Sequence, residues 1–125
     1  MSWVTAAIAR LDSEHVDDAA EAMAMLRAHP DEAHDAVLAA LAEHRGNQGD
    51  LASLLGGWGR PESVPVLVDA ARRGLHTLRY SALMALAEHA DPAAGDALDA
   101  LAAAEDPELA RLTRLAVDER RRRAR

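Results

Sequence analysis

The chain has 125 residues, half of them apolar, with no cysteine, phenylalanine or lysine and only three aromatic residues, Trp3, Trp58 and Tyr80. That length fits one domain, and an interior of alanine, leucine, valine and methionine favours helix-on-helix packing over a sheet. Without cysteine there are no disulfides, thiolate nucleophiles or thiolate metal sites, and no apolar run reaches the roughly 18–20 residues that cross a bilayer.

The formal net charge is -7, but five arginines lie in the last six residues, so the preceding body carries about -12. An acidic body repels a phosphate backbone and argues against nucleic acid as a general partner. The Arg120–Arg125 run reads as a basic C-terminal tail behind a single domain of residues 1–119. As a frayed helix end, its arginines would complement the negative end of the helix dipole. The opening "MSWVTAAIARLDSEH" has no basic leading segment, so the expected location is the cytoplasm and no membrane partner is expected.

In chain order the pattern predicts helices over Trp3 to Leu11, Ser13 to Ala28, Pro30 to Arg45, Asp50 to Trp58, Pro61 to Arg73, Thr77 to Ala90, Pro92 to Ala104 and Pro107 to Arg121. Pro30, Pro61 and Pro92 mark starts, because proline's missing N–H is unbonded in a first helical turn anyway. Val64, Leu67, Val68 and Ala71 recur at three- and four-residue steps and trace one apolar face, and Leu78, Ala82, Ala85 and Leu86 do the same in the following helix. Arg72, Arg73 and Gly74 form a helix end. "LGGWG", Leu55 to Gly59, is a second break, since glycine costs about 1 kcal/mol relative to alanine inside a helix.

The three prolines are 31 residues apart, and Leu55/Leu86, Leu67/Leu98, Leu78/Leu109 and Leu86/Val117 share that offset. Such a period is the mark of stacked helical hairpins that share one elongated core. The segment before Pro30 follows the period loosely, and Val37 and Leu38 need a shift of about one residue.

"LHTLRYSALMALAEHADPAAGDALDALAAAEDPELARL" resembles the short HEAT-like repeat, the type also found in phycocyanobilin lyases. Leu78-Arg79 matches its opening pair, Ala82, Ala85 and Leu86 its core, Asp91-Pro92 its turn, and Leu98 and Leu101 its second helix, over about Asp50 to Val117. Gly95 occupies a usually apolar position, and Ala110 stands where the next arginine belongs. The resemblance implies an all-α, right-handed α-solenoid of about four stacked hairpins, with the second helix of each pair lining a concave groove.

Chemistry is harder to find. HEAT-like deoxyhypusine hydroxylase draws its di-iron ligands from His-Glu dipeptides, whereas this chain has Glu14-His15, Glu43-His44 and Glu88-His89 in reverse order, and His34-Asp35. The reversal turns the paired side chains in the opposite sense around the helix and breaks the likeness at the ligands. Glu14 with Asp18, His15 with Asp18, and Asp31 with His34 share helix faces at spacings that chance produces in so acidic a chain. HEAT-like alkylpurine DNA glycosylases grip duplex DNA with a basic concave face, which Arg79, Tyr80, Arg111 and Arg114 cannot supply against this net charge.

The sequence therefore points to a non-catalytic protein-binding scaffold without cofactor or metal. Its partner-binding candidates are Arg79, Tyr80, Met84, Arg111 and Arg114, expected to be partly exposed on the inner side. Arg79 has a competing role as a salt bridge to a carboxylate of the adjacent repeat. Trp58 is expected to plug the core at its turn, and Trp3 to cover the open apolar end. The alternatives are an accessory subunit or enzyme with a small ligand or metal in the groove, and nucleic-acid binding through the arginine tail.

Overall fold

A computed structural model describes residues 2–124, and all of the regular structure among them is helical. The elements are α1 (Trp3–Arg10), α2 (Val16–Ala28), α3 (Pro30–Ala42), α4 (Gln48–Trp58), α5 (Ser63–Arg73), α6 (His76–Glu88), α7 (Pro92–Ala102) and α8 (Pro107–Arg123). Each helix touches its chain neighbours, each odd helix touches the next odd one, and each even helix touches the next even one. The molecule thus has one row of first helices and one row of second helices, with the core between them.

Local chemistry sets the ends. Asp91 and Asp106 cap α7 and α8 through backbone N–H groups, Asn47 caps α4, and Pro30, Pro92 and Pro107 sit in first turns. Pro61 differs from its two counterparts, because α5 begins two residues later, at Ser63. Pro65 has no N–H to offer the Pro61 carbonyl at the α-helical spacing, so the Val64 N–H bonds Pro61 instead, in a tighter turn. The expected single stretch from Pro30 to Arg45 stops at Ala42, where His44 and Gly46 turn left-handed with φ of 60° and 72°.

The 31-residue offset holds in the packing: Leu55 and Leu86 are both fully buried, as are Leu67 and Leu98. Val117, at the register of Leu55 and Leu86 in the last pair, is half-buried.

The second helices run parallel. Gly49 faces Ser81, Gly56 faces Ala85, Gly57 faces Glu88 and Gly59 faces Ala90, so α4 and α6 advance together. "LGGWG" is therefore less a helix breaker than a contact surface. A β-carbon on Gly56 would stand 2.7 Å from both the Cα and the carbonyl oxygen of Ala85, so the two backbones touch there. Gly59 then ends α4 with φ 64°, a conformation that costs glycine nothing.

Gly56→Ala is expected to lower unfolding free energy by about 1–3 kcal/mol through overpacking, measured by urea titration. Gly57→Ala is its control. A β-carbon there meets only the flexible end of Glu88, so the change should be neutral or stabilising by up to about 1 kcal/mol.

Candidate functional site

The exposed face of the second helices was the expected binding surface, and the structure sorts its candidates into three groups. Tyr80 and Met84 lie together on α6. With Ser53 of α4 and Ser81, Ala85 and Glu88 of α6 they line a crevice of about 190 Å³. Tyr80 is 48 % exposed although it is an aromatic residue in a chain with only three. Met84 is half-buried against the core. Arg111 occupies the position one repeat beyond Tyr80 on α8 and is exposed. Leu115, one repeat beyond Met84, is 50 % exposed. Ser53 and Leu115 were not singled out from sequence, although the 31-residue offset from Met84 leads directly to both, and Glu88 was weighed only beside His89 as a metal ligand.

Arg114 is elsewhere. It lines a cleft between α7 and α8 with Asp99, Ala102, Val117, Asp118 and Arg121, at the end of the rows and apart from the Tyr80 crevice. Its place in the repeat matches Leu83, which is buried; in the last pair that position is open to water.

Arg79 is not partly exposed. It is 9 % accessible, and each of its three guanidinium nitrogens has an acceptor. Nε donates to the Ala71 carbonyl at 2.9 Å and Nη2 to the Arg72 carbonyl at 3.1 Å, at the end of α5. Nη1 pairs with Glu108 at 3.0 Å and Asp106 at 3.2 Å, in the first turn of α8. One planar fork therefore joins three helices, and the salt bridge to the adjacent repeat is its role. Asp106 is held below the usual carboxylate range by the Leu109 N–H first and by Arg79 next.

A matching tie closes the opposite edge. Arg120 donates to the carbonyls of Leu86 (3.0 Å), His89 and Asp91 (3.1 Å), covering the end of α6. One repeat earlier, His89 stands at the same register and reaches back to Arg60, and before it Trp58 donates Nε1 to the Arg27 carbonyl at 3.3 Å. Trp58, His89 and Arg120 are thus three solutions to one problem, the carbonyls exposed where the preceding pair turns. Trp58 is half-buried beside His34, as its expected plugging role requires, and Trp3 is half-buried with Nε1 bonded to Glu32.

The expected basic tail, residues 120–125, reads in sequence as the end of a helix. Residues 120–123 continue α8, with Arg120 on backbone carbonyls and Arg122 and Arg123 paired to Glu119; Arg125 lies outside the described residues.

His89 is 2 % exposed and fully bonded. The Asp91 N–H donates to Nδ1, so the ring's single proton sits on Nε2 and points at the Arg60 carbonyl and Ser63 Oγ. Burial pushes its pKa below the ordinary 6.5. Among the described residues, no group of three or more histidines and carboxylates could hold a metal ion, and no helix is long and apolar enough to cross a membrane.

No family profile, curated protein or solved structure matches the chain.

Two outcomes follow from the ties. Arg79→Met should cost about 1–3 kcal/mol, chiefly by leaving the Ala71 and Arg72 carbonyls without their donor, and Arg79→Lys should recover little of it, because an ammonium cannot span both carbonyls and the carboxylates. Denaturant titration of both variants checks this. For His89, the unfolded chain binds a proton as pH falls through 6.5 while the folded chain resists. Its contribution is full above that pH and is lost below it. The unfolding midpoint should drop more between pH 7.5 and pH 5.5 in the natural protein than in His89→Gln.

Proposed function

We propose that this chain is a HEAT-like, right-handed α-solenoid of four helical pairs that works in the cytoplasm as a non-catalytic, protein-binding scaffold. The observation that carries the reading is the state of Tyr80, Met84 and Leu115. These large side chains stay accessible on the face of the second helices, while the leucines around them are sealed in the core. Tyrosine and methionine give a partner contact area at low entropic cost, and a crevice between parallel helices gives it shape. The resemblance of "LRYSALMALAEHADP" to the short HEAT-like repeat agrees with the two rows of helices and with the parallel second row.

The arginine-tail alternative is weakened by the commitments of Arg120, Arg122 and Arg123. The charged exterior of the first helices, with Asp31, Glu32, Asp35, Asp69, Asp96 and Asp99 exposed, steers approaching partners without forming the contact itself.

A photo-crosslinking amino acid at position 84 should capture protein in cells, whereas the same group at position 96 should not. Tyr80→Ala with Met84→Ala should weaken capture roughly tenfold or more while the circular dichroism spectrum is unchanged. Equal labelling from positions 84 and 96 would remove the support for this face.

A further inference from the structure

Polar groups without partners gather in the crevice between α4 and α6. Thr113, in α8, turns its hydroxyl back onto the Leu109 carbonyl, the usual fate of a hydroxyl inside a helix. The hydroxyls of Ser53, Ser81 and Tyr80, which all line the crevice, bond no other described residue. They are free for an incoming group.

Glu88 closes the crevice at the C-terminal end of α6, is exposed, and has no ion-pair partner among the described residues. Arg120 and Arg123 stand across a second cleft beside it, but Arg120 is held by backbone carbonyls and Arg123 by Glu119. Two helices add to the negative charge on the crevice side. The parallel α4 and α6 end at Trp58 and Glu88, so the negative ends of both dipoles adjoin the carboxylate. Gly57, the α4 residue facing it, contributes no side chain; a β-carbon there would stand 3.1 Å from Glu88 Oε1. The carboxylate is therefore open to approach from the α4 side.

Size and shape narrow the occupant. A crevice of about 190 Å³ is smaller than the roughly 300 Å³ at which small-molecule sites begin, and it has room for one long side chain. Along α6 the distance from Tyr80 to Glu88 is about 12 Å, with Met84 midway. An apolar stem can lie on Met84 and Ala85 while a charged head reaches Glu88 and the serine hydroxyls, which is how lysine and arginine cover apolar surface. At the other end, Arg111 holds the Tyr80 register on α8 and is exposed, so a cation entering there meets like charge. The Glu88 end is the one that accepts it.

We infer that the crevice is a socket for one lysine or arginine side chain of a protein partner, with its stem along Met84 and its charge at Glu88. The inference rests on the protein-binding reading of the same face and names the chemistry that enters it. The long-range field agrees, because the chain before its last six residues carries about -12 and draws a basic partner toward it.

Selection from a phage library of random dodecapeptides on the purified chain, followed by fluorescence anisotropy of the enriched peptides, tests it. Those peptides should share a lysine or arginine beside an apolar residue. Replacing that cation by norleucine should weaken binding about tenfold, as should Glu88→Lys, while Glu88→Gln should weaken it about threefold. A peptide with glutamate in place of the cation should bind Glu88→Lys more tightly than it binds the natural chain, a rescue that misfolding cannot produce. Asp96→Lys, on the first helices, should change affinity by less than about twofold. The inference is overturned by no enrichment, by enriched peptides without a shared cation, by indifference to Glu88→Lys, or by failure of the swapped pair. If position 84 still crosslinks protein in cells after such a result, the cation socket alone falls and the scaffold reading stands. If it does not, both fall.

Discussion

Parallel helices packed side by side create a problem that antiparallel ones avoid. Their dipoles repel, and the unbonded carbonyls of several helix ends gather along one edge. In this protein α4, α6 and α8 take that arrangement, with α4 and α6 near enough at Gly56 for backbone contact. The rest of the structure depends on how the edges are closed. Arg79 closes one, joining the end of α5 to the first turn of α8. Trp58, His89 and Arg120 close the other, each reaching back to carbonyls about one repeat earlier. Arginine suits both edges, because its rigid fork serves several acceptors at once.

Closing the edges with buried side chains also decides what is left for function. Arg79 and Arg120 are consumed in architecture, so a chain with 14 arginines presents few cations on the face of its second helices. Small residues on α4, at Gly49, Ser53 and Gly57, keep that row low, and Tyr80 and Met84 rise beside it. The crevice is a consequence of these small residues: α4 approaches α6 closely at Gly56, and the low row at Gly49, Ser53 and Gly57 leaves a shallow trough where the two helices meet.

Much of this was legible in the residues. The helical periodicity, the prolines and the 31-residue offset gave eight helices whose limits agree with the structure to within a few residues, and the buried status of Leu55, Leu67, Leu86 and Leu98 followed from the same repeat. What was not legible was the fate of individual polar side chains. Arg79 reads identically as a groove residue or as a tie, because its partners Asp106 and Glu108 are close in space and far along the chain. Arg120 looks like one of a run of solvated arginines until the end of α6 is placed against it. Gly56 reads as a break, since the backbone of Ala85 that forbids a side chain there has no sequence signature.

Ala110 stands at the register of Arg79 and has no side chain to extend, so α7 finishes on its own amides, Ala103 bonding to Ala100 and Ala104 to Leu101. The polar ties of the last pair consequently run to α6, through the carboxylates that Arg79 grips and through the reach of Arg120. Either tie lost would therefore free one edge of the carboxyl-terminal pair, while the packing of α8 on α6 and of α7 on α5 holds the rest in place.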